Sequence, residues 1–257
     1  MWTDVFTPLR WLIRGSLFFL HATVILVPCL LLLAFGSGVR IGGRSLDVWA
    51  LNFWSLWTCR LFGLWPTVRG ELADGPLLVV ANHVSWADIQ ALHSVAPMSF
   101  VAKAEIGEWP LFGFLASRGG TIYHKRGSHD SSAGVMAQVH EKLDSGGRVA
   151  VFPEGGIFPG EEIKHFHARM FKVAQDSGCP VQPTMIRYTR NGQRDAETTF
   201  LEGENFMVNL ARLMGRPGCR AEIAFLEPFP SGDLPRKALA AKAEAAVREA
   251  YDAPVDP

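Results

Sequence analysis

Residues 16–35, SLFFLHATVILVPCLLLLAF, run for twenty positions without a formal charge. As a helix this stretch is about 30 Å long, the thickness of the hydrocarbon core of a bilayer. A chain that carries it must either place it against lipid or bury it whole. Its flanks favour lipid. Arg10 and Arg14 precede it, and Arg40 and Arg44 follow. Positive charge on both sides gives no orientation by the positive-inside rule. His21 and Pro28 interrupt the run. It is too long for a secretory signal, and no small-x-small cleavage site follows. A glycine-rich turn, Gly36-Ser37-Gly38 and then Gly42-Gly43, leads to a second apolar segment, 46–65, with Trp49, Trp54, Trp57 and Trp65. Its polar residues Asp47, Ser55 and Thr58 share one helical face, with Asn52 beside them. Residues 1–65 are therefore expected to form a membrane-anchoring helical hairpin, spanning or re-entrant. The alternative is a buried hairpin of a soluble core.

Charge supports the lipid reading. The chain is formally neutral, so no nucleic-acid partner is expected. Yet residues 1–70 hold six Arg and no Lys against two acids, Asp4 and Asp47. A basic, Trp-rich front end in a neutral protein points to an anionic membrane surface. The four cysteines, Cys29, Cys59, Cys179 and Cys219, stand singly in apolar surroundings, as buried thiols in a reducing compartment do.

From Pro66 the pattern changes. Short apolar runs at 77–81, 99–102, 121–123, 148–152, 181–188 and 221–226 read as strands. Helical patterns fall near 86–95, 108–118, 129–145, 165–177, 203–214 and 234–251. This alternation predicts an α/β domain over 66–257, a central sheet flanked by helices. At 257 residues the chain has room for one such catalytic domain plus the appendage.

The first predicted strand delivers Asn82-His83-Val84-Ser85-Trp86-Ala87-Asp88. A His backed by a carboxylate can take the proton of an alcohol: the carboxylate fixes the imidazole tautomer and stabilises the imidazolium. Composition alone yields about a third of one such His-x4-Asp spacing in a chain like this, so the pair needs company. Three further segments stand at strand ends. Gly119-Gly120-Thr121-Ile122-Tyr123-His124-Lys125-Arg126-Gly127 ends in cations suited to an anionic group. Val151-Phe152-Pro153-Glu154-Gly155-Gly156 exposes an acid and then turns through two glycines. Cys179-Pro180-Val181-Gln182-Pro183 enters an apolar strand.

In this order and spacing the four segments resemble the lysophosphatidate acyltransferase family of glycerolipid acyltransferases. Its motifs are Asn-His-x4-Asp, Gly-x-Ile-Phe/Tyr-x-x-Arg, Phe-Pro-Glu-Gly-Thr-Arg and Pro-Val-x-Pro. Here they begin at Asn82, Gly120, Phe152 and Pro180, and the resemblance spans roughly residues 66–230. It implies a mixed central sheet. It also implies that His83, oriented by Asp88, deprotonates a lysolipid hydroxyl, which attacks the thioester of an acyl-CoA or acyl-carrier protein. The implied acceptor is 1-acyl-sn-glycerol-3-phosphate, bound through Asn82, Lys125, Arg126, Glu154, Gly155 and Gly156. The implied location is the cytoplasmic membrane, with the catalytic domain facing the cytosol.

Two positions depart from the motifs. Gly156-Ile157 stands where the family has Thr-Arg, and Phe166-His167-Ala168-Arg169 where it has Phe-Lys-x-Gly. A cation at the acceptor phosphate is missing, although Lys164, His165, His167, Arg169 and Lys172 could restore charge. Lyso-ornithine lipid or another lysophospholipid is the rival acceptor. A thioesterase or hydrolase in which His83 activates water is the rival reaction, and a non-catalytic lipid-binding protein a third reading. No metal is expected, because His165-x-His167 lacks a third ligand at diagnostic spacing, and no cofactor is expected.

Overall fold

The computed structural model describes residues 4–108, 113, 116–117, 119–124, 129–157, 162–201 and 203–255. Helix α1 (Thr7–Leu20) passes through a π-helical turn (His21–Ile25) into α2 (Leu26–Phe35). A small ribbon, β1 (Arg40–Ile41) and β2 (Arg44–Ser45), reverses the chain into α3 (Leu46–Leu61). The remaining elements are β3 (Leu64–Arg69), β4 (Leu77–Ala81), α4 (Ala87–His93), β5 (Ser99–Lys103), α5 (Ala104–Gly107), β6 (Ile122–His124), α6 (His129–Asp144), β7 (Arg148–Val151), α7 (Phe171–Ser177), β8 (Val181–Arg190), β9 (Gln193–Arg194), α8 (Phe206–Gly215), β10 (Cys219–Phe225) and α9 (Arg236–Asp252).

The sheet order is β3-β10-β8-β4-β7-β5-β6, with β9 folded back on β8. Strands β8, β4, β7, β5 and β6 run parallel, while β10 and β3 run opposite to them. The expected mixed sheet is present. Strand β4 is buried on both faces. Leu78 and Val80 meet α6, α7 and α9; Leu77, Val79 and Ala81 meet α4, α8 and the end of α3. From β4 the chain crosses outward to β5, and from β7 it crosses the other way to β8. The two connections leave on opposite faces of the sheet, α4 on one and α7 on the other, which makes the carboxyl ends of β4 and β7 a switch point where α/β sheets open a crevice.

The hairpin exists, and its α2 and α3 close on Leu26, Cys29, Ala50 and Trp54. The segment Thr7–Gly38 is apolar and long enough to cross a membrane, and only 17% of its most apolar window is buried. The polar face of α3 differs from expectation. Ser55 and Thr58 turn inward, and Asn52 donates to the His93 carbonyl at 2.5 Å. The exposed face instead carries Trp49, Phe53 and Trp57.

Two boundaries also move. The second apolar segment does not stay helical to residue 65. It ends at Leu61, because Gly63 takes φ +73° and a side chain there would strike the Arg14 guanidinium at 2.6 Å. Strand β3 then starts at Leu64, so the sheet reaches across the expected boundary at 65/66. Pro66 is tolerated because β3 is an edge strand. The helix expected over 165–177 begins only at Phe171. Upstream, the N–H groups that a helix needs are engaged elsewhere: Phe166 donates to Glu244, and His167 to the Pro153 carbonyl. The expected helix 108–118 falls largely outside the described residues.

Candidate active site

Strand β4 ends at Ala81 and hands the chain to the His-x4-Asp loop at the crevice. Asp88 lies in the first turn of α4, where a carboxylate is favoured by the helix dipole. It is wholly buried and accepts four hydrogen bonds. Its Oδ2 takes them from His83 Nδ1 at 2.8 Å and from the backbone N–H groups of Val84 and Ser85 at 2.8 and 3.0 Å. Its Oδ1 takes one from the Tyr188 hydroxyl at 2.7 Å. A carboxylate so surrounded is held as an acceptor. It therefore keeps the proton of neutral His83 on Nδ1 and leaves the Nε2 lone pair for a substrate. The ring stacks on Phe152 at 3.9 Å with an 11° tilt and remains 13% exposed. A ring so held is chemically able to serve as a general base through Nε2.

Asn82 does not face this opening. It is fully buried, and its carboxamide closes two 2.8 Å hydrogen bonds with the N–H and C=O of Ile186. It extends the β4–β8 pairing by one residue past the strand end, which makes it a positioning residue rather than a substrate contact. Glu154 stands at the end of neighbouring β7, buried, with Oε1 lacking a hydrogen-bond partner among the described residues. Burial pushes its carboxyl up to about 8, against the opposing backbone N–H groups of His83 and Lys164. Gly155 takes φ +79°, and a side chain added there would touch the His167 ring at 3.6 Å. Gly156 completes the turn, and Ile157 follows it half-buried. Lys125 and Arg126 lie outside the described residues.

The proposed substitute cations separate. His165 pairs with Glu244 at 2.9 Å, and Lys172 forms an ion pair with Asp176. His167 is the one whose ring borders the Gly155 turn. Tyr188 was missed by sequence reasoning. Period-two alternation along β8 puts it on the α4 face beside Ile186, yet nothing in the sequence marks a tyrosine a hundred residues from Asp88 as its partner.

Comparison with known proteins places the chain. Residues 66–187 match the family model described as Acyltransferase. The lyso-ornithine lipid O-acyltransferase of Pseudomonas aeruginosa is 41% identical over 195 residues, covering 75% of each chain. The chain belongs to the acyltransferase family. The 1-acyl-sn-glycerol-3-phosphate acyltransferase of Neisseria gonorrhoeae is 37% identical over 49% of this chain and 50% of its own. In fold, the chain is similar to PlsC, the 1-acyl-sn-glycerophosphate acyltransferase of Thermotoga maritima. The TM-score is 0.73 at 20% identity, covering 96% of this chain and 95% of that one. The protein is an enzyme that transfers an acyl group from a donor to a lysolipid acceptor.

Proposed function

We propose that the protein is a membrane-bound lyso-ornithine lipid O-acyltransferase. His83 Nε2 takes the proton of the acceptor hydroxyl, and the oxygen attacks the carbonyl carbon of an acyl thioester. The C–S bond breaks, and the departing thiolate takes the proton back from the imidazolium. Asp88 stabilises that imidazolium while staying ionised. No acyl-enzyme is required, because the alcohol is the nucleophile. The donor is an acyl-CoA or an acyl-carrier protein, and the catalytic side is the cytosolic one, where such thioesters are made.

The observation that carries the acceptor assignment is Ile157 in the turn beside Glu154. An apolar side chain stands where a phosphate monoester would call for an arginine fork. Glu154 keeps its proton toward neutral pH and so adds no negative charge beside the acceptor, and the Gly155–Gly156 turn admits a close approach. The Pseudomonas relative, with higher identity and wider coverage than the Neisseria one, bears the same name as this reading. A panel of lysolipids with one labelled acyl donor tests it: lyso-ornithine lipid should be acylated in preference to lysophosphatidate. Gly156→Thr with Ile157→Arg should move the preference toward lysophosphatidate. An unchanged ranking in the folded double variant would remove position 157 from head-group selection. Release of free fatty acid without diacyl product would mark a hydrolase instead.

The anchor reading rests on the apolar Thr7–Gly38 segment and on the aromatics of α3. Arg10 and Arg14 do not serve as membrane flanks. Arg10 donates to the Gly215 carbonyl, and Arg14 to those of Leu213, Met214 and Arg216, where they cap the end of α8. The start of the hairpin is thereby fastened to the catalytic domain.

A further inference from the structure

We propose that the loop before α8 and its first turn, through Leu201, Met207 and Val208, form a second membrane contact that enters the bilayer beside the active site. The inference rests on the membrane reading above and extends it to a part of the chain far from the hairpin in sequence.

The amphipathicity of this region is inverted. Leu201, Met207 and Val208 are 41, 64 and 51% exposed, while Asn209 and Arg212 on the same helix are buried. The inward polar groups are mutually satisfied. Arg212 Nε reaches Glu204 at 2.6 Å, and Asn209 Nδ2 reaches Glu204 and the Thr199 carbonyl at 2.9 and 3.0 Å. The Asn205 side chain caps the helix at the Val208 N–H, 3.0 Å away. A rigid polar base thus holds three large apolar side chains outward. Water is a poor partner for such a patch, and lipid a good one. The helix that carries the patch is also the one against which the hairpin docks. Helix α1 lies along α8, close enough that a side chain on Gly215 would strike Trp11 at 2.7 Å, and α1 exposes Leu9, Leu12 and Ile13.

The same turn is tied to the catalytic loop. Trp86, two residues before Asp88, donates to Asn209 Oδ1 at 2.8 Å and meets the Phe206 ring edge-on at 5.4 Å. Ser85 Oγ donates to the Thr198 carbonyl at 3.4 Å. An apolar turn sunk among acyl chains here sets His83 at the depth where a lysolipid hydroxyl waits, and lets the acceptor pass from bilayer to base without crossing water.

The test uses the full chain and one acceptor in two presentations: lyso-ornithine lipid in phosphatidylcholine vesicles, and in nonionic detergent micelles. Met207→Glu with Val208→Glu should lower acylation at vesicles about tenfold or more, since interfacial binding scales with buried apolar area. Acylation in micelles should stay near that of the parent, and the apolar exchange Met207→Leu with Val208→Ile should keep both activities. Leu201→Glu, in the loop rather than the helix, provides an independent variant should the double one unfold. A folded acidic variant as active at vesicles as the parent overturns the proposal. So does an equal loss in both presentations, which marks a structural role only. Failure of the parent itself to sediment with vesicles overturns the membrane reading beneath it.

Discussion

Asp88 accepts four hydrogen bonds, and only one comes from the histidine it orients. The other three hold the carboxylate in place. His83→Ala should lower turnover by about 10²–10⁴-fold in a protein that still folds, and near-normal activity would end the general-base assignment. Asp88→Asn should be severely impaired as well, since an amide cannot stabilise an imidazolium. Tyr188→Phe separates positioning from catalysis. It removes one donor from a buried carboxylate and loosens the acceptor that orients the His83 ring. Turnover should therefore fall while the acceptor KM stays put. Unchanged turnover would make the tyrosine a packing residue. Glu154 carries a separate pH signature. Well below pH 4.5 the folded and unfolded chains both hold its proton. Between about 4.5 and about 8 the folded chain alone holds it, so stability contributed by this group falls as pH rises. Denaturant midpoints of the parent should drop relative to Glu154→Gln across that window. A parallel pH dependence in the two proteins would refute the buried acid.

At the scale of elements, the clamp between β4 and β8 can be tested apart from substrate binding. Asn82→Ala leaves the Ile186 N–H and C=O buried without partners, which should cost about 1–3 kcal/mol of stability by denaturant titration. If Asn82 instead touched substrate, the acceptor KM would rise with stability unchanged. The six expected strands were legible because buried parallel strands write continuous apolar runs, as Leu77-Leu78-Val79-Val80-Ala81 does. The His83–Asp88 pair was legible because both partners lie within one loop and helix start. What escaped reading shares a cause: its determinants are remote in sequence. Residues 165–170 have a helical pattern, yet their N–H groups are taken by Glu244 and Pro153. Strand β3 hid inside an apolar Trp-rich run because its start is set by Gly63 and the Arg14 that fills the space above it. The polar stripe of α3 was visible, but it faces α4 and the π turn, where Thr58 meets His21 at 3.3 Å, instead of water.

For the molecule as a whole, the hairpin's position bears on the choice between the spanning and re-entrant anchors. Its base is fastened to α8 by Arg10 and Arg14. Its middle is fastened to α4 by Asn52. Near its tip, Leu33, Asp47 and Val48 share a cavity of about 260 Å³ with Met98, Lys142 and Arg148, at the amino ends of β5 and β7. The hairpin thus lies along the catalytic domain over its whole length. A transbilayer crossing would carry the domain's charged edge, Lys142 and Arg148 included, into hydrocarbon, at a cost of several kcal/mol per charge. An anchor lying in the plane of one leaflet exposes the same apolar faces to lipid and keeps both ends on one side. The geometry therefore predicts that the tip and the catalytic domain share a side of the membrane. Ser37→Cys at the exposed tip and Lys237→Cys on α9 provide the labels, because the four native thiols are buried. In sealed vesicles of known orientation, a membrane-impermeant thiol reagent should modify both positions from the same side. High salt should leave the protein bound and detergent should release it, since the contact is apolar rather than ionic. Labelling of Ser37→Cys only from the side opposite Lys237→Cys would establish a spanning hairpin, and would require α3 to separate from α4 in the membrane.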